Sequence, residues 1–409
     1  MPEPRASAYD AIIVGARCAG APTAMLLARA GHRVLLVDRA EFPSDIMSTH
    51  YIHQPGVARL RRWGLLETLL ASNCPPIERI RLDAGEAALE GPPMPAGDTA
   101  IALCPRRIVL DRILFEAAAR AGAEVRDRFA MEALRFDDGR VSGIRGRDLR
   151  GGALCEERAR IVIGADGPWS AVARALNPAE YETVPAMTCG YYSYFAGVNV
   201  SACEIHPRAG STALAFATND GLTCVAIERP RAEFEAWRAD IEGGFWRTLA
   251  ASPDLCERVR AGKRAERFAG TGGIPNYFRK PYGPGWALVG DAGYHKDPIT
   301  GYGITDALRD AELLAAAIDA GLAGREPIER ALADYESARN AAAIEPYRFT
   351  CDLARLEEPP AMMLALMRAL AGNAADTSRF MGTVATTVAR PEFYAPANLM
   401  RIMRGAERS

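Results

Sequence analysis

The chain has 409 residues, of which 49% are hydrophobic and 24% are charged, and its formal net charge at pH 7 is -2. This composition is ordinary for a globular protein, and the lack of a basic excess argues against a nucleic-acid partner. The nine cysteines form no CxxC pair and the five histidines are dispersed, so we expect no metal site. Because no long apolar run or secretory leader occurs, we expect a cytoplasmic protein without a membrane span.

The first predicted unit is a strand, a tight turn, a helix and a second strand. Residues 9–14 form an apolar run typical of a buried parallel strand, and the turn follows at 15–20. Residues 21–30 predict a helix that Gly31 ends, and the apolar run 33–38 predicts the second strand. Together these elements predict one βαβ unit.

The following segments alternate between irregular, helical and strand-like patterns. The sequence predicts an irregular segment at 41–53, a helix at 55–63 and a strand-like stretch at 77–103. It then predicts a helix at 109–121 and a short strand at 123–126. Two turn signals within 131–160 predict an antiparallel meander, and 159–163 predicts another buried strand.

The second half begins with a β-rich, aromatic stretch at 186–228, in which Asn219-Asp220-Gly221 predicts a hairpin turn. Helical segments follow, then a last buried strand at 286–291, and the chain is mostly helical from Ile304 onward. This order predicts a discontinuous nucleotide-binding domain at 1–75, 100–180 and 280–345, an inserted β-sheet domain at 76–99 and 181–279, and a helical region at 346–409.

The turn after the first strand has the sequence GARCAG. The usual dinucleotide fingerprint is GxGxxG, and here Arg17 replaces the middle glycine. Gly15 permits the tight turn, Gly20 permits close packing of helix on strand, and bare N–H groups at the helix start face a pyrophosphate. Asp38 ends the second strand, where a carboxylate accepts hydrogen bonds from an adenosine ribose. We expect the Arg17 side chain to turn away from the phosphate-facing backbone, which leaves open a contact with a phosphate or ribityl oxygen.

Two later motifs each place an aspartate at the end of a buried strand. Asp166 lies in the sequence GADGPWS, followed by a short helix. Asp291 lies in the longer motif 290–303, where a proline and two glycines lead into a long helix. A glycine-lined helix N-terminus offers N–H groups and a positive dipole, which suit the electron-rich edge of a flavin. Ligands bind at this end of such sheets.

The three motifs and their order in the chain resemble those of one family, the FAD-dependent monooxygenases of the p-hydroxybenzoate hydroxylase type, also called group A flavin hydroxylases. The geranylgeranyl reductases and the flavin-dependent halogenases are related to this family. The resemblance covers roughly residues 9–345. It implies an α/β fold with a Rossmann-like FAD-binding domain, an inserted and mainly antiparallel β-sheet for the substrate, and C-terminal helices.

The resemblance also implies site residues. The first motif would hold the pyrophosphate and ribose, Arg107 would open a helix beside FAD, Asp166 would touch FAD and NADPH, Asp291 would bind a ribityl hydroxyl, and 298–303 would line the isoalloxazine. The full set of expected FAD-binding residues is Gly15, Arg17, Cys18, Ala19, Gly20, Asp38, Arg39, Thr49, Arg107, Asp166, Gly167, Asp291, Pro298, Gly301, Tyr302 and Gly303.

The expected reaction is NAD(P)H- and O2-dependent oxygenation of a small aromatic or polyketide-like substrate through a flavin hydroperoxide, with NADPH or NADH as reductant. An FAD-dependent reductase of the geranylgeranyl type, which saturates C=C bonds, shares all three motifs. A tryptophan-type halogenase is less favoured, because no WxWxIP segment occurs. A separate flavin reductase and a homodimer stay open as partners.

Three residues are candidates for contact with the substrate. Tyr192 and Tyr194 share one face of a predicted strand under strict alternation, while Tyr191 and Phe195 share the other. The first pair would form the roof of a flat apolar pocket. His50, in the irregular segment after the first unit, is a weak candidate for a general base.

Overall fold

The computed structural model describes residues 9–406. Its strands are β1 (Tyr9–Val14), β2 (Val34–Val37), β3 (Pro76–Ile77), β4 (Ile80–Asp83), β5 (Ala88–Gly91), β6 (Ala102–Leu103), β7 (Glu124–Arg126), β8 (Phe129–Asp137), β9 (Arg140–Asp148), β10 (Leu154–Gly164), β11 (Glu180–Val184), β12 (Thr188–Ala196), β13 (Cys203–Arg208), β14 (Ser211–Ala217), β15 (Leu222–Pro230), β16 (Lys263–Arg264), β17 (Ala269–Thr271), β18 (Asn276–Arg279), β19 (Tyr282–Gly283), β20 (Trp286–Leu288) and β21 (Tyr294–His295).

Its helices are α1 (Gly20–Arg29), α2 (Gln54–Arg62), α3 (Leu66–Leu70), α4 (Arg107–Arg120), α5 (Ala171–Leu176), α6 (Phe234–Ala239), α7 (Ile241–Leu249), α8 (Pro253–Ala261), α9 (Gly303–Leu322), α10 (Ile328–Leu353), α11 (Ala361–Leu370), α12 (Ala374–Val384), α13 (Arg390–Phe393) and α14 (Pro396–Ala406). Within the described residues, no helix combines the length and apolar character that a bilayer span requires.

A parallel sheet forms the centre of the first layer, with strand order β20-β10-β1-β2-β7. Ile12 of β1 lies opposite Val162 of β10 on one side and Leu35 of β2 on the other. One face of the sheet packs on α1, α4 and α9, and the other packs on β8, β9 and α5. Burial on both faces explains why the predicted strands are continuous apolar runs.

The strand β10 belongs to two kinds of sheet. Its first half pairs antiparallel with β9, which pairs in turn with β8, and this confirms the predicted meander. Its second half pairs parallel with β1 from Ala159 onward. One continuous strand therefore carries the chain from the meander to the motif that contains Asp166.

A second, mainly antiparallel sheet has the order β16-β12-β15-β14-β13-β4-β5, with β17 also beside β12. The predicted alternation along β12 is confirmed. Tyr191 and Phe195 pack with α7 and α8, whereas Tyr192 and Tyr194 lie on the face toward the C-terminal helices.

Two expected boundaries are corrected. The strand expected at 286–291 ends at Leu288, because residues 290–292 form a 3-10 turn. It is also not the last strand, since β21 follows and pairs antiparallel with β18. The helix expected at 109–121 begins earlier, at Arg107.

Candidate active site

One large cavity of about 860 Å³ lies where the carboxyl ends of β1, β10 and β20 face the second sheet. Its wall contains most of the residues that the sequence predicted for FAD, together with one substrate candidate. These are Gly15, Arg17, Cys18, Ala19, Asp38, Arg39, Thr49, Arg107, Asp166, Gly167, Asp291, Pro298, Gly303 and Tyr192. Three motifs that are far apart in sequence therefore meet at one place.

The turn between β1 and α1 needs its two glycines for steric reasons. Gly15 has a φ of +103°, and a Cβ built on it would lie 2.4 Å from the carbonyl oxygen of Ala165. A Cβ on Gly20 would lie 1.8 Å from the carbonyl oxygen of Gly15. The first motif thus packs closely against the second, and the turn that precedes α1 lies at the cavity.

Two arginines share one buried carboxylate beside this turn. Asp111 of α4 is fully buried and accepts hydrogen bonds from Arg107 at 3.0 and 2.9 Å. Arg17 donates to the same carboxylate at 2.5 Å and also contacts Ser44, and its guanidinium lies over the ring of Phe42. The three charged groups sum to one net positive charge at the cavity wall, which suits an anionic ligand.

The three motif aspartates have different environments. Asp38 accepts hydrogen bonds from the backbone N–H groups of Ala16 and Ala40, each at 2.8 Å. Asp166 accepts from Ser170 and from the first N–H groups of α5, and burial raises the pKa of its carboxyl. The half-buried carboxylate of Asp291 forms no hydrogen bond within residues 9–406, although it lines the cavity. Asp291 is therefore the aspartate most available to a ligand.

The N-terminus of α9 also opens into the cavity. Pro298 and Gly303 line it, and a Cβ on Gly303 would have no atom within 4 Å. The helix dipole adds partial positive charge at this point. Beneath it, Lys296 is buried and donates hydrogen bonds to Asp306 and to the hydroxyl of Tyr294. Space and N–H groups are thus present where a flat, electron-rich ring would bind.

Three predicted FAD residues do not line the cavity. Gly20 packs against the Gly15 carbonyl, as its steric role requires. Gly301 faces Tyr51, with 3.4 Å between a Cβ built on it and the Tyr51 Cβ. Tyr302 is buried, and its hydroxyl donates to the carbonyl of Val384 at 2.8 Å, so its side chain points toward the C-terminal helices.

His50 and Tyr194 also lie outside the cavity wall. The His50 ring is fully buried, and the Tyr194 hydroxyl is 2.7 Å from its Nε2 atom. Burial, with the nearby charges of Arg107 and Arg106, lowers the pKa of His50 to about 3. A general base needs a pKa near the operating pH and reach to the substrate, so this placement disfavours the proposed base role.

Comparison with known proteins identifies the family. The profile of the FAD binding domain family matches residues 8–268, which is more than half of the chain. The chain belongs to this family of flavoproteins. Digeranylgeranylglycerophospholipid reductase of Methanosarcina mazei is 30% identical over 339 residues, covering 77% of this chain and 76% of that protein. The protein of the same name from Methanosarcina acetivorans is 29% identical over 349 residues, covering 80% and 79%.

Solved structures share the fold of this flavoprotein. The myxobacterial chondrochloren halogenase has a TM-score of 0.78 at 20% identity, covering 98% of this chain and 97% of its own. A Pseudomonas aeruginosa protein described as "a probable FAD-dependent monooxygenase" has a TM-score of 0.70 at 23% identity, covering 92% and 99%. These likenesses show the expected α/β fold. The family and the reductase relatives show that the flavoprotein is an FAD-dependent oxidoreductase.

The observed cavity fits FAD. The net positive charge beside α1 suits a pyrophosphate, the carboxylate of Asp291 suits a hydroxyl-bearing chain, and the open space at Gly303 suits a flat ring. All three features belong to the wall of the same cavity.

The sequence reasoning missed two acidic residues in the wall of the flavoprotein's cavity. Glu228 of β15 and Asp297, just before Pro298, both line it. A signal for Glu228 existed, because Cys224, Ala226 and Glu228 alternate along a predicted strand and share one face. A carboxylate on an otherwise apolar face marks a position with a special environment.

Proposed function

We propose that this flavoprotein is an FAD-dependent monooxygenase that uses NADPH or NADH and O2 to oxygenate a small, electron-rich substrate. The main support is the cavity, because a single space of about 860 Å³ must contain FAD and substrate together. Pockets for one drug-sized ligand already span about 300–1,000 Å³. The room left beside the cofactor therefore favours a small substrate over a long isoprenoid lipid.

Under this proposal each of the three motifs would bind or support a different part of FAD. The α1 turn with Arg17 and Arg107 would bind the pyrophosphate, and Asp38 would bind the ribose. Asp291 would accept a hydrogen bond from the ribityl chain, and Gly303 would let the α9 N-terminus approach the isoalloxazine. Asp166, whose oxygens cap α5, would act by fixing the backbone of its turn beside FAD.

The substrate would bind on the second sheet, opposite the α9 N-terminus. Tyr192, Leu214 and Phe216 share the face of the sheet that lines the cavity, and they would exclude water from the substrate. FAD, once reduced, supplies the electrons with which O2 delivers one oxygen atom to the substrate. The chain's own residues orient the substrate and keep the space between the two layers dry.

A reductase that saturates C=C bonds is the second candidate, because the Methanosarcina relatives at about 30% identity are digeranylgeranylglycerophospholipid reductases. One experiment separates the two. The FAD-loaded protein is mixed with NADPH or NADH without O2, and flavin reduction is followed by stopped flow. Oxygen uptake and product mass are then measured with small phenols and aryl ketones, and with digeranylgeranylglyceryl phospholipid.

Oxygen uptake with a product that gains one oxygen atom supports the monooxygenase. A lipid product that gains two hydrogens without oxygen uptake supports the reductase and overturns the proposal. A parallel reaction receives reduced flavin from an added flavin reductase. Oxygenation in that reaction alone would keep the proposed chemistry but would replace the nicotinamide cofactor by a partner enzyme.

A further inference from the structure

Glu228 lines the cavity, but it has no role in the proposed binding of FAD. It lies on β15, opposite Gly190 of β12 and Thr212 of β14. The residue is 5% exposed, and its Oε2 atom is buried with no hydrogen-bond partner within residues 9–406. Gly190 provides its space, since a Cβ there would lie 3.2 Å from the Glu228 Cγ. An uncompensated buried carboxyl of this kind is costly unless it has a ligand.

Asp297 approaches the same place from the flavin side of the cavity. It is 3% exposed, and its carboxylate accepts hydrogen bonds from the Thr188 hydroxyl at 2.8 Å and the Ile299 N–H at 3.2 Å. Thr188 precedes Gly190 by two residues on β12, so it is a diagonal neighbour of Glu228. Diagonal residues on one face are about 7–8 Å apart, within reach of a glutamate side chain. The two carboxyls therefore line the same part of the cavity and lie close enough to interact electrostatically.

The two carboxyls differ in what stabilises their charge. Asp297 has hydrogen-bond donors that stabilise its ionised form, although burial raises its pKa. Burial also raises the pKa of Glu228 well above its usual range, and the charge of Asp297 raises it further. Like charges at close range favour one proton on the pair, and that proton resides on the group without donors.

The titratable groups near the pair favour a charge on Asp297 rather than on Glu228. Lys296 is bound to Asp306 and Tyr294, and the charge of His295, whose Nδ1 atom lies 2.9 Å from the carbonyl oxygen of Pro275, lowers the pKa of Asp297. The thiols of Cys189 and Cys351 also interact electrostatically with Glu228 and Asp297, respectively, but neither thiol supplies a positive charge. No hydrogen bond joins Glu228 to Asp297 within the described part of the chain. A proton on Glu228 is thus free for a ligand in the cavity.

We propose that Glu228 is a substrate-binding residue, held as a neutral carboxylic acid beside the ionised Asp297, and that it donates a hydrogen bond to a carbonyl or hydroxyl oxygen of the substrate. This inference rests on the proposed function for the location of the substrate. It assigns an oxygen-bearing class of substrate, such as an aryl ketone or a phenol, because an acid donor gains nothing from a pure hydrocarbon.

The protonation state is tested by infrared spectroscopy of the FAD-loaded protein at neutral pH, in H2O and D2O. We expect the difference spectrum between wild type and Glu228→Gln to contain the carbonyl stretch of a protonated carboxyl, shifted in D2O. The matched control is Glu204→Gln. Glu204 is as buried as Glu228 but is paired with Arg258 and His206, which lower its pKa, so its loss should remove only a carboxylate band. A Glu228→Gln difference spectrum without the protonated band overturns the assignment.

Substrate recognition is tested by titrating the FAD-loaded protein with acetophenone and with ethylbenzene, which have similar shapes but differ in the oxygen. We expect wild type and Glu228→Gln to prefer acetophenone by about five- to tenfold, the equivalent of one hydrogen bond, and Glu228→Leu to lose the preference. An equal preference in wild type and Glu228→Leu overturns the recognition role. The infrared band and the preference for acetophenone can both be measured even if the monooxygenase assay fails. The role of Glu228 and the monooxygenase function can therefore be overturned independently of each other.

Discussion

At the scale of single residues, His50 shows how burial sets the charge of a side chain. Its backbone is left-handed, with a φ of 64°, and its ring makes edge contacts with Tyr192 and Tyr194. Its pKa falls from 6.5 to about 3, mainly through burial. The folded protein therefore keeps His50 neutral over a pH range in which the unfolded chain protonates it.

Replacing His50 by asparagine should make the protein more resistant to acid. Because the folded pKa lies below the unfolded one, the unfolded state binds the extra proton, and stability is lost as pH falls from about 6.5 toward 3. Asparagine tolerates the left-handed backbone and does not titrate. Relative to neutral pH, the wild type should lose about 2 kcal/mol more than the variant by about pH 5. Urea denaturation across this pH range measures the difference, and parallel pH curves would contradict it.

At the scale of elements, the N-terminus of α9 combines open space with a helix dipole. Gly303 is the first residue of this helix, and nothing lies within 4 Å of a Cβ built on it. A methyl group there costs the free protein nothing in packing, and alanine is the better helix former by about 0.5–1 kcal/mol. The same methyl group would project into the cavity.

Gly303→Ala should therefore separate cofactor binding from stability. We expect the FAD-free variant to unfold at or slightly above the wild-type temperature, while the Kd for FAD rises about tenfold or more, a loss of about 1.4 kcal/mol. The control is Gly372→Ala in an exposed turn, which also has open space and should leave FAD affinity unchanged. Flavin fluorescence titration measures both. An unchanged Kd for Gly303→Ala would mean that FAD does not approach this helix end.

At the scale of the whole molecule, the C-terminal helices α11 to α14 share a core with the second sheet. Phe380, Met381 and Phe393 are fully or almost fully buried and lie in one cluster with Phe216 and Leu89. The backbone also joins the two regions, since the Met94 N–H donates to the carbonyl of Ser378 at 3.1 Å. The C-terminal region thus packs on the sheet that forms the cavity's second wall and supports it.

Phe380→Ala should lower the free energy of unfolding by about 3–5 kcal/mol, because it leaves a cavity in this shared core. Met362→Ala is the matched control on α11, where the side chain is 69% exposed, and it should change stability by less than about 0.5 kcal/mol. Thermal unfolding measures both. Equal effects of the two substitutions would show that the C-terminal helices fold apart from the sheet.

The local patterns predicted the parallel strands, the glycine turn and the meander because each depends on neighbours in sequence. The burial of His50 and Tyr194 depends on packing across the molecule, and the lowered pKa of His50 depends in part on Arg106 and Arg107; no local pattern reveals either. Tyr302 stands in a motif beside the cavity, yet its hydroxyl bonds to a residue 82 positions later. The division into domains and the roles of the individual site residues remain predictions.

The bond from Tyr302 to Val384 has a consequence for biosynthesis. Residues after 345 complete the support of a cavity whose first motif lies much earlier in the chain, at 15–20. A ribosome makes the first βαβ unit well before α12, so the packing behind the second wall is completed late in synthesis. Nascent chains that stop before α12 should therefore retain little flavin, and cofactor loading should follow the synthesis of α12.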